Sequence, residues 1–212
     1  KNTISNYVTV FTLDPLLRNA IRFNLLTERI DITGNLGWHR SSTMLTDMDL
    51  HHLQYFCERK YGLSSDKKMR SALNVVANEN HFHPIREKLE GLRWDGISRI
   101  RQCLHHFLGA DEDDYTEEVF RHTLLGAIRR VFNPGCKYEE VLALVGGQGI
   151  GKSTFLRFLA MNDEWFSDDI RHLDDEKVFQ RLQGHWIVEI CEMLATNNAK
   201  SVEESRAFFS RQ

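Results

Sequence analysis

The chain has 212 residues, of which 42% are hydrophobic and 27% are charged, and its formal net charge is −3 at pH 7. This is an ordinary soluble composition, and the length fits one large domain or two small ones. The nearly balanced charge excludes a general attraction to nucleic acid, so that any contact with DNA must come from local basic patches.

The cysteines, the histidines and the hydropathy further narrow the class of protein. The four cysteines form no CxxC pair, which argues against zinc and against a disulfide framework and fits a reducing cytoplasm. None of the ten histidines stands at a familiar ligand spacing from Cys or Glu, which disfavours a metal site built on them. There is no run of 18 apolar residues and no signal peptide, so we expect no contact with a membrane.

The first predicted elements follow the amino terminus. Residues 7–13 alternate weakly in hydropathy and indicate a short strand or an extended lead-in. Asp14 followed by Pro15 is typical of a helix cap and a first helical position. A helix is therefore predicted from there to about Leu26.

Residues 29–38 predict two short strands around a turn at Gly34. Two helices are predicted next, each after a polar cap and each with an apolar face: one from Thr46 or Asp47 to Tyr61, and one from Ser64 or Ser65. Residues 1–90 thus predict a small helical domain with one hairpin.

Residues 91–212 predict a second domain. Its predicted helices lie near 98–108, 115–132 (capped by Asp114), 174–182 and 201–210, with a connector at Trp165-Phe166. Apolar runs at 141–145 and 185–190 predict two buried strands. This alternation predicts a three-layer α/β domain with a mainly parallel sheet.

A glycine-rich segment lies between the first of these strands and a helix. Gly146, Gly151, Lys152 and Ser153 fit the pattern G-x-x-x-x-G-K-[ST]. Glycines let the backbone approach a ligand closely, and successive N–H groups then cradle phosphate oxygens. Lys152 reaches the β- and γ-phosphates, and Ser153 offers its hydroxyl to Mg²⁺. The segment therefore predicts a site for a nucleoside triphosphate.

The second predicted strand supplies a carboxylate. Ligands bind at the carboxyl ends of parallel strands, so Glu189 is expected beside Lys152 and Ser153 if the two strands are neighbours. It is predicted to hold Mg²⁺ or to orient water, and Glu192 is a second catalytic candidate. The alternative for both is that they mark the solvent end of a strand and the turn after it.

Five segments occur together in a characteristic order: LEGLRWDGISRI, VLALVGGQGIGKSTFLRFLA, WFSDDI, LQGHWIVEICEM and SRAFFSRQ. In order and spacing they resemble the virulence-associated protein E family of phages and genomic islands. That family looks like the P-loop ATPases and is similar to superfamily-three helicases of the AAA+ class. The resemblance covers roughly residues 89–212 and, more loosely, the helical region before them.

The resemblance implies a bacterial, cytoplasmic replication ATPase of a mobile element. Such proteins are expected to form rings, here a hexamer, that bind ATP and Mg²⁺ between subunits and move single-stranded DNA, often with a primase region upstream. It places Lys152 and Glu189 in catalysis and Ser153 with Glu189 at the metal. The implied nucleotide contacts are Gly146, Gly147, Gln148, Gly149, Ile150, Gly151, Lys152, Ser153 and Thr154.

Two departures from the family pattern affect what is expected of this chain. The acidic pair is split by Ile190-Cys191, and the chain stops at Gln212, before the sensor strand and arginine finger of the pattern. Since it also starts at Lys1, we expect a fragment of a longer protein, its ATPase domain truncated. Such a fragment is expected to bind nucleotide weakly, to hydrolyse it negligibly and to be monomeric in dilute solution.

Two other functions fit the same loop: a nucleotide-dependent regulatory or assembly module without helicase activity, and a small-molecule phosphotransferase. Nothing resembles the lid of a small-molecule kinase. The local basic clusters are interpreted as solvated helix faces rather than phosphate tracks; they are Lys67-Lys68, Arg99 with Arg101, and Arg129-Arg130.

Overall fold

The computed structural model describes residues 1–170 and 178–190. The protein is mixed α/β, and its chain divides into two compact units, Lys1–Glu87 and Lys88–Gln212. Across the described ranges, no helix has both the length and the apolar character needed to cross a membrane.

The first unit packs helices around a small sheet. Its elements are α1 (Ile4–Leu13), β1 (Ile21–Asn24), β2 (Arg29–Ile32), α2 (Asp47–Tyr61), α3 (Asp66–Glu79), β3 (His81–Phe82) and the start of α4 (Pro84–Glu90). The sheet has the order β2-β1-β3, with β1 antiparallel to β2 and parallel to β3. Its core joins side chains from α1, β1, β2, α2 and α3.

The amino-terminal segment is helical, and the predicted strand at residues 7–13 is wrong. The Thr3 hydroxyl accepts a hydrogen bond from the Asn6 N–H at 3.2 Å and caps α1. Tyr7, Val10 and Phe11 are buried at i, i+3 and i+4, which is the period of a helix facing a core. The weak alternation in hydropathy was therefore not a strand signal.

Asp14 ends a helix instead of starting one. Its N–H donates to the Val10 carbonyl at 2.9 Å, and turns lead from it into β1, so no helix reaches Leu26. The Asp14 carboxylate is buried and accepts hydrogen bonds from Lys60, at 2.6 Å, and from the Tyr61 hydroxyl. Asp14 precedes Pro15 and has the extended backbone conformation that this position favours, so the proline ends α1 and does not start a helix.

The hairpin also differs from its prediction. β1 pairs with β2 from Ile21↔Ile32 to Asn24↔Arg29, so the connection lies at residues 25–28 and not at Gly34. Asn24 shapes this connection, because its side-chain oxygen accepts the N–H of Leu26 at 3.0 Å. No second strand follows Gly34 at residues 35–38.

Helices α2 and α3 follow the predicted caps. Thr46 caps α2 in a reciprocal capping box with Asp49, and Gly62, with φ 66°, ends it in the left-handed conformation. Ser65 is the N-cap of α3. The predicted inward face of α3 is buried: Met69, Ala72, Leu73 and Val76.

The second unit contains α5 (Ile100–Leu108), α6 (Asp114–Phe132), α7 (Lys152–Leu159), a short 3₁₀ helix (Asp163–Trp165), β4 (Phe166–Ile170), α8 (Val178–Leu182) and β5 (Ile187–Ile190). Asp113 caps α6, one residue before the predicted cap, by accepting the Thr116 N–H at 2.8 Å. The predicted helix at 201–210 lies outside the described residues.

The strands of the second unit differ from those predicted. β4 and β5 form a parallel pair in register Phe166↔Ile187 and Ser167↔Val188. The connector predicted at Trp165-Phe166 leads directly into β4, which the sequence did not predict as a strand. Residues 141–145 carry no strand pairing within the described ranges, and Val145 is 79% exposed. The predicted buried strand there is therefore wrong.

Asp49 organises the long connection from β2 to α2. Its buried carboxylate accepts hydrogen bonds from Arg40 Nε at 2.7 Å, Trp38 Nε1 at 2.9 Å and the Thr46 N–H at 2.9 Å. Burial by itself raises the pKa of Asp49, but these hydrogen bonds outweigh it and hold the pKa well below its ordinary value. The ionised carboxylate therefore stabilises this unit.

We expect Asp49→Asn to lower the free energy of unfolding by about 3 kcal/mol at pH 7, because it leaves Arg40 without its ion-pair partner. The folded pKa is depressed, so the stabilisation is complete above the unfolded pKa of about 4 and is lost as pH falls through the folded pKa. Urea unfolding at pH 7 and pH 3 measures this difference, which shrinks at pH 3. Asp66→Asn, at an exposed pair with Arg70, is the control and costs less than about 1 kcal/mol.

Candidate functional site

The glycine-rich loop ends directly in helix α7. Gly149 and Gly151 have φ values of 82° and 93°, a region that other residues enter only with strain. Gly151 is the N-cap of α7 and has no side chain to cap it. The first N–H groups of the helix, which have no partner within it, therefore face the loop with the positive end of the helix dipole.

The other two glycines of the loop differ in how closely they are packed. A Cβ on Gly146 would lie 2.8 Å from the Ile150 Cδ1 atom, so the loop closes tightly at that point. A Cβ on Gly147 would meet only Ile150 Cγ2, at 3.9 Å. A methyl group on Gly146 would thus have to displace the end of the exposed Ile150 side chain, whereas Gly147 has room for one.

Lys152 folds back over the loop. Its ammonium group donates to the carbonyl oxygens of Gly146, at 2.9 Å, and Gly147, at 2.8 Å. The cation is therefore held at the mouth of the loop, where it faces any anion that the N–H groups would bind. The sequence had indicated only a phosphate-binding charge, whereas these bonds also give Lys152 a part in shaping the loop.

Ser153 and Glu189 meet across the unit. The Ser153 hydroxyl, in the first turn of α7, donates to Glu189 Oε1, on β5, at 2.7 Å. Glu189 therefore lies beside Ser153, although the strand predicted at residues 141–145, on which that expectation depended, is not formed in the described part of the chain. Glu189 Oε2 is buried and has no hydrogen-bond partner among the described residues.

An unpaired buried carboxylate oxygen is costly unless something else binds it. A hydroxyl and a carboxylate oxygen side by side are ligands for a hard cation, and Mg²⁺ uses one or two such groups together with water and phosphate oxygens. The residues present therefore fit Mg²⁺. The described part of the chain has no group of three or more His, Cys, Asp or Glu able to cage a metal.

Helix α6 supports both halves of the site. Phe155, the buried residue of α7, packs against Phe120 of α6 with ring centroids 5.8 Å apart. The Trp186 indole N–H, immediately before β5, donates to the Ala127 carbonyl of α6 at 3.0 Å. Sequence reasoning missed these supports. The one sequence feature that could have indicated them is Trp186, in the strand predicted at residues 185–190.

A second contact ties α7 to the sheet. The Arg157 guanidinium lies 5.2 Å from the centre of the Phe166 ring and 3.6 Å from Asp168. Both partners belong to β4, the neighbour of β5. The arginine thus fixes the side of α7 that faces the sheet.

The remaining predicted site residues contribute less to the observed geometry. Gln148 and Thr154 are exposed, Gln148 in the loop and Thr154 in the first turn of α7. Ile150 is partly exposed and packs over Gly146. Glu192 lies outside the described residues, so its predicted catalytic role stays a prediction.

Comparison with known protein families gives a match over the second half of the chain. The model of the virulence-associated protein E-like domain matches residues 89–212, which include the loop, α7, β4 and β5. No curated protein matches the chain.

We expect Gly151→Ala to destabilise the second unit by about 1–2 kcal/mol, because alanine is strained at the observed φ. Gly147→Ala is the control, since its added Cβ finds ordinary contact distances. Urea unfolding of both variants, followed by tryptophan fluorescence, measures the difference. Equal midpoints for the two variants would contradict the observed loop conformation.

Proposed function

The chain belongs to the virulence-associated protein E-like family, and on that premise we propose that it is the ATP-binding part of a P-loop ATPase of a phage or another mobile element. In the full-length protein this ATPase acts as a helicase-like replication motor. The observation that carries the proposal is the hydrogen bond from Ser153 to Glu189 beside the Lys152 ammonium group.

This arrangement supplies the groups that phosphoryl transfer requires. Free N–H groups at the start of α7 bind phosphate oxygens. The Lys152 ammonium exchanges its bonds to the Gly146 and Gly147 carbonyls for bonds to the β- and γ-phosphates. The ammonium group is thus already positioned before phosphate binds, so binding requires little reorganisation of the Lys152 side chain.

Ser153 and Glu189 form the metal side of the proposed site. The Ser153 hydroxyl donates its proton to Glu189 Oε1, so the Ser153 oxygen and the unpaired Glu189 Oε2 are the two groups that would hold Mg²⁺. Bound Mg²⁺ would neutralise negative charge on the β- and γ-phosphate oxygens. Glu192 is the second candidate for orienting the attacking water.

The finer architecture also belongs to this proposal. We infer a three-layer, AAA+-like domain with a mainly parallel sheet, supported by the parallel β4–β5 pair and by α7, which packs beside it. Assembly of the full-length protein into a hexameric ring, movement of single-stranded DNA, and a primase region or partner are parts of the same proposal. They rest on membership of the family.

One alternative has an observation in its favour. Large apolar side chains are exposed on both sides of the loop, with Val145 79% and Phe158 78% exposed. Such residues suit a module that uses nucleotide to control assembly with other chains and does not hydrolyse it. Hydrolysis by the full-length protein separates the two functions.

We expect Lys152→Ala to weaken binding of MgATP by about 10- to 100-fold, the effect of losing charge-assisted hydrogen bonds to phosphate. Isothermal titration calorimetry measures the affinity. Lys137→Ala is the matched control, since Lys137 forms an exposed ion pair with Glu139 in the same unit. Equal affinities of Lys152→Ala and the unaltered chain for MgATP would contradict the assignment of this site.

We expect Glu189→Gln to retain ATP binding and to lose the strengthening of that binding by Mg²⁺. The amide keeps an acceptor for Ser153 but has no charge for the cation. In the full-length protein, turnover should fall by at least about 10²-fold. Affinities with Mg²⁺ and with EDTA, and steady-state phosphate release, test this. Unchanged turnover in Glu189→Gln, together with loss of turnover in Glu192→Gln, would assign this catalytic role to Glu192.

A further inference from the structure

The pairing of β4 with β5 contains an irregularity next to Glu189. Ser167 and Ile170 of β4 pair with the two residues that flank Glu189 on β5, and the register shifts between them. Two residues, Asp168 and Asp169, therefore stand opposite Glu189 alone, which is the two-against-one arrangement of a β-bulge. Bulges redirect side chains and are common beside functional sites. This bulge brings carboxylates of β4 to the metal side of the proposed site.

The Asp168 side chain faces α7. Side chains alternate between the two faces of a strand, so Asp168 shares a face with Phe166. Arg157 of α7 contacts both of them: its guanidinium lies 5.2 Å from the centre of the Phe166 ring, and its Nη2 atom lies 3.6 Å from Asp168 Oδ2. The alternation and the contacts with α7 therefore agree on the face to which Asp168 belongs.

Glu189 lies on the same face of the sheet as Asp168. Ser153 and Arg157 are four residues apart, and such residues share one side of a helix. Ser153 donates to Glu189 Oε1 at 2.7 Å, whereas Arg157 contacts Asp168. Neighbouring strands lie about 4.8 Å apart, so the two carboxylates are side by side under one face of α7.

The contacts of α7 only partly balance the charge of these two carboxylates. Adjacent like charges on neighbouring strands destabilise a sheet. Arg157 supplies one positive charge, but its 3.6 Å separation from Asp168 is longer than a hydrogen bond. The Asp168 side chain is 51% exposed, so its oxygens can accept hydrogen bonds from water. Glu189 Oε2 has no partner among the described residues. This arrangement favours a further cation beside the pair.

We propose that Asp168 is a positioning residue of the metal side of the site. It accepts hydrogen bonds from water in the hydration shell of Mg²⁺, while Ser153 and Glu189 are the groups that hold the cation. Mg²⁺ keeps several waters when it is bound by one or two protein groups, and carboxylates outside the ligand set strengthen metal binding by accepting hydrogen bonds from the ligands. The inference rests on the proposed function, because Asp168 forms no metal site of its own.

The test measures how strongly Mg²⁺ strengthens ATP binding to the whole 212-residue chain. Isothermal titration calorimetry gives the affinity for ATP with Mg²⁺ and with EDTA, and the ratio of the two affinities is the strengthening. We expect Asp168→Asn to lower this ratio by about ten-fold, the effect of losing a carboxylate outside the ligand set. Binding in EDTA is not weakened, because the amide is similar in size and removes a negative charge that repels phosphate. General damage to the fold would instead weaken binding under both conditions.

Two control variants separate this role from the ion pair and from charge alone. Arg157→Gln breaks the same ion pair but keeps the Asp168 carboxylate, and it removes a positive charge, so the ratio is retained or increased. Asp163→Asn removes the same charge as Asp168→Asn from an exposed position before β4 and leaves the ratio unchanged. Circular dichroism verifies that all three variants are folded.

Three results overturn the inference: an unchanged ratio in Asp168→Asn, an equal fall in Arg157→Gln, or an equal fall in Asp163→Asn. Failure of the proposed function gives a different result. In that case the unaltered chain itself does not bind ATP, or binds it no more tightly with Mg²⁺ than with EDTA, and the inference falls with the site. When the unaltered chain shows the strengthening, the variants test Asp168 alone.

Discussion

Helix α6 is the platform on which the candidate site depends. Phe120 holds α7 through Phe155, and the Ala127 carbonyl holds the entrance to β5 through the Trp186 indole. These contacts fix two segments that are distant in sequence, and their side chains can then meet within hydrogen-bonding distance. A site built on packed elements keeps its geometry better than one carried by loops alone.

The two units contain buried carboxylates in opposite states. In the first unit Asp49 is satisfied by the Arg40 guanidinium, an indole and a helix cap, and it holds a long connection in place. In the second, Glu189 has one oxygen bonded to Ser153 and the other unpaired within the described structure. A native fold rarely leaves a buried acceptor unpaired, so the unpaired Glu189 oxygen supports the metal site proposed above, whereas the satisfied Asp49 carboxylate is structural.

The sequence by itself determined the features that depend on neighbouring residues. The caps at Thr46 and Gly62, the inward face of α3 and the glycine-rich loop were all predicted, because capping and helical period act within a few residues. The meeting of Ser153 and Glu189 was predicted only conditionally, on the strands being neighbours.

Only the tertiary structure decided the rest. The Asp14 carboxylate is buried in a contact with Lys60 and Tyr61, which lie far along the chain. Residues 141–145 have the composition of a strand but no strand pairing in the described structure, whereas the aspartate-rich β4 pairs with β5. A strand exists only where a partner supplies its hydrogen bonds, and that partner is chosen by packing between distant segments, which no local pattern encodes.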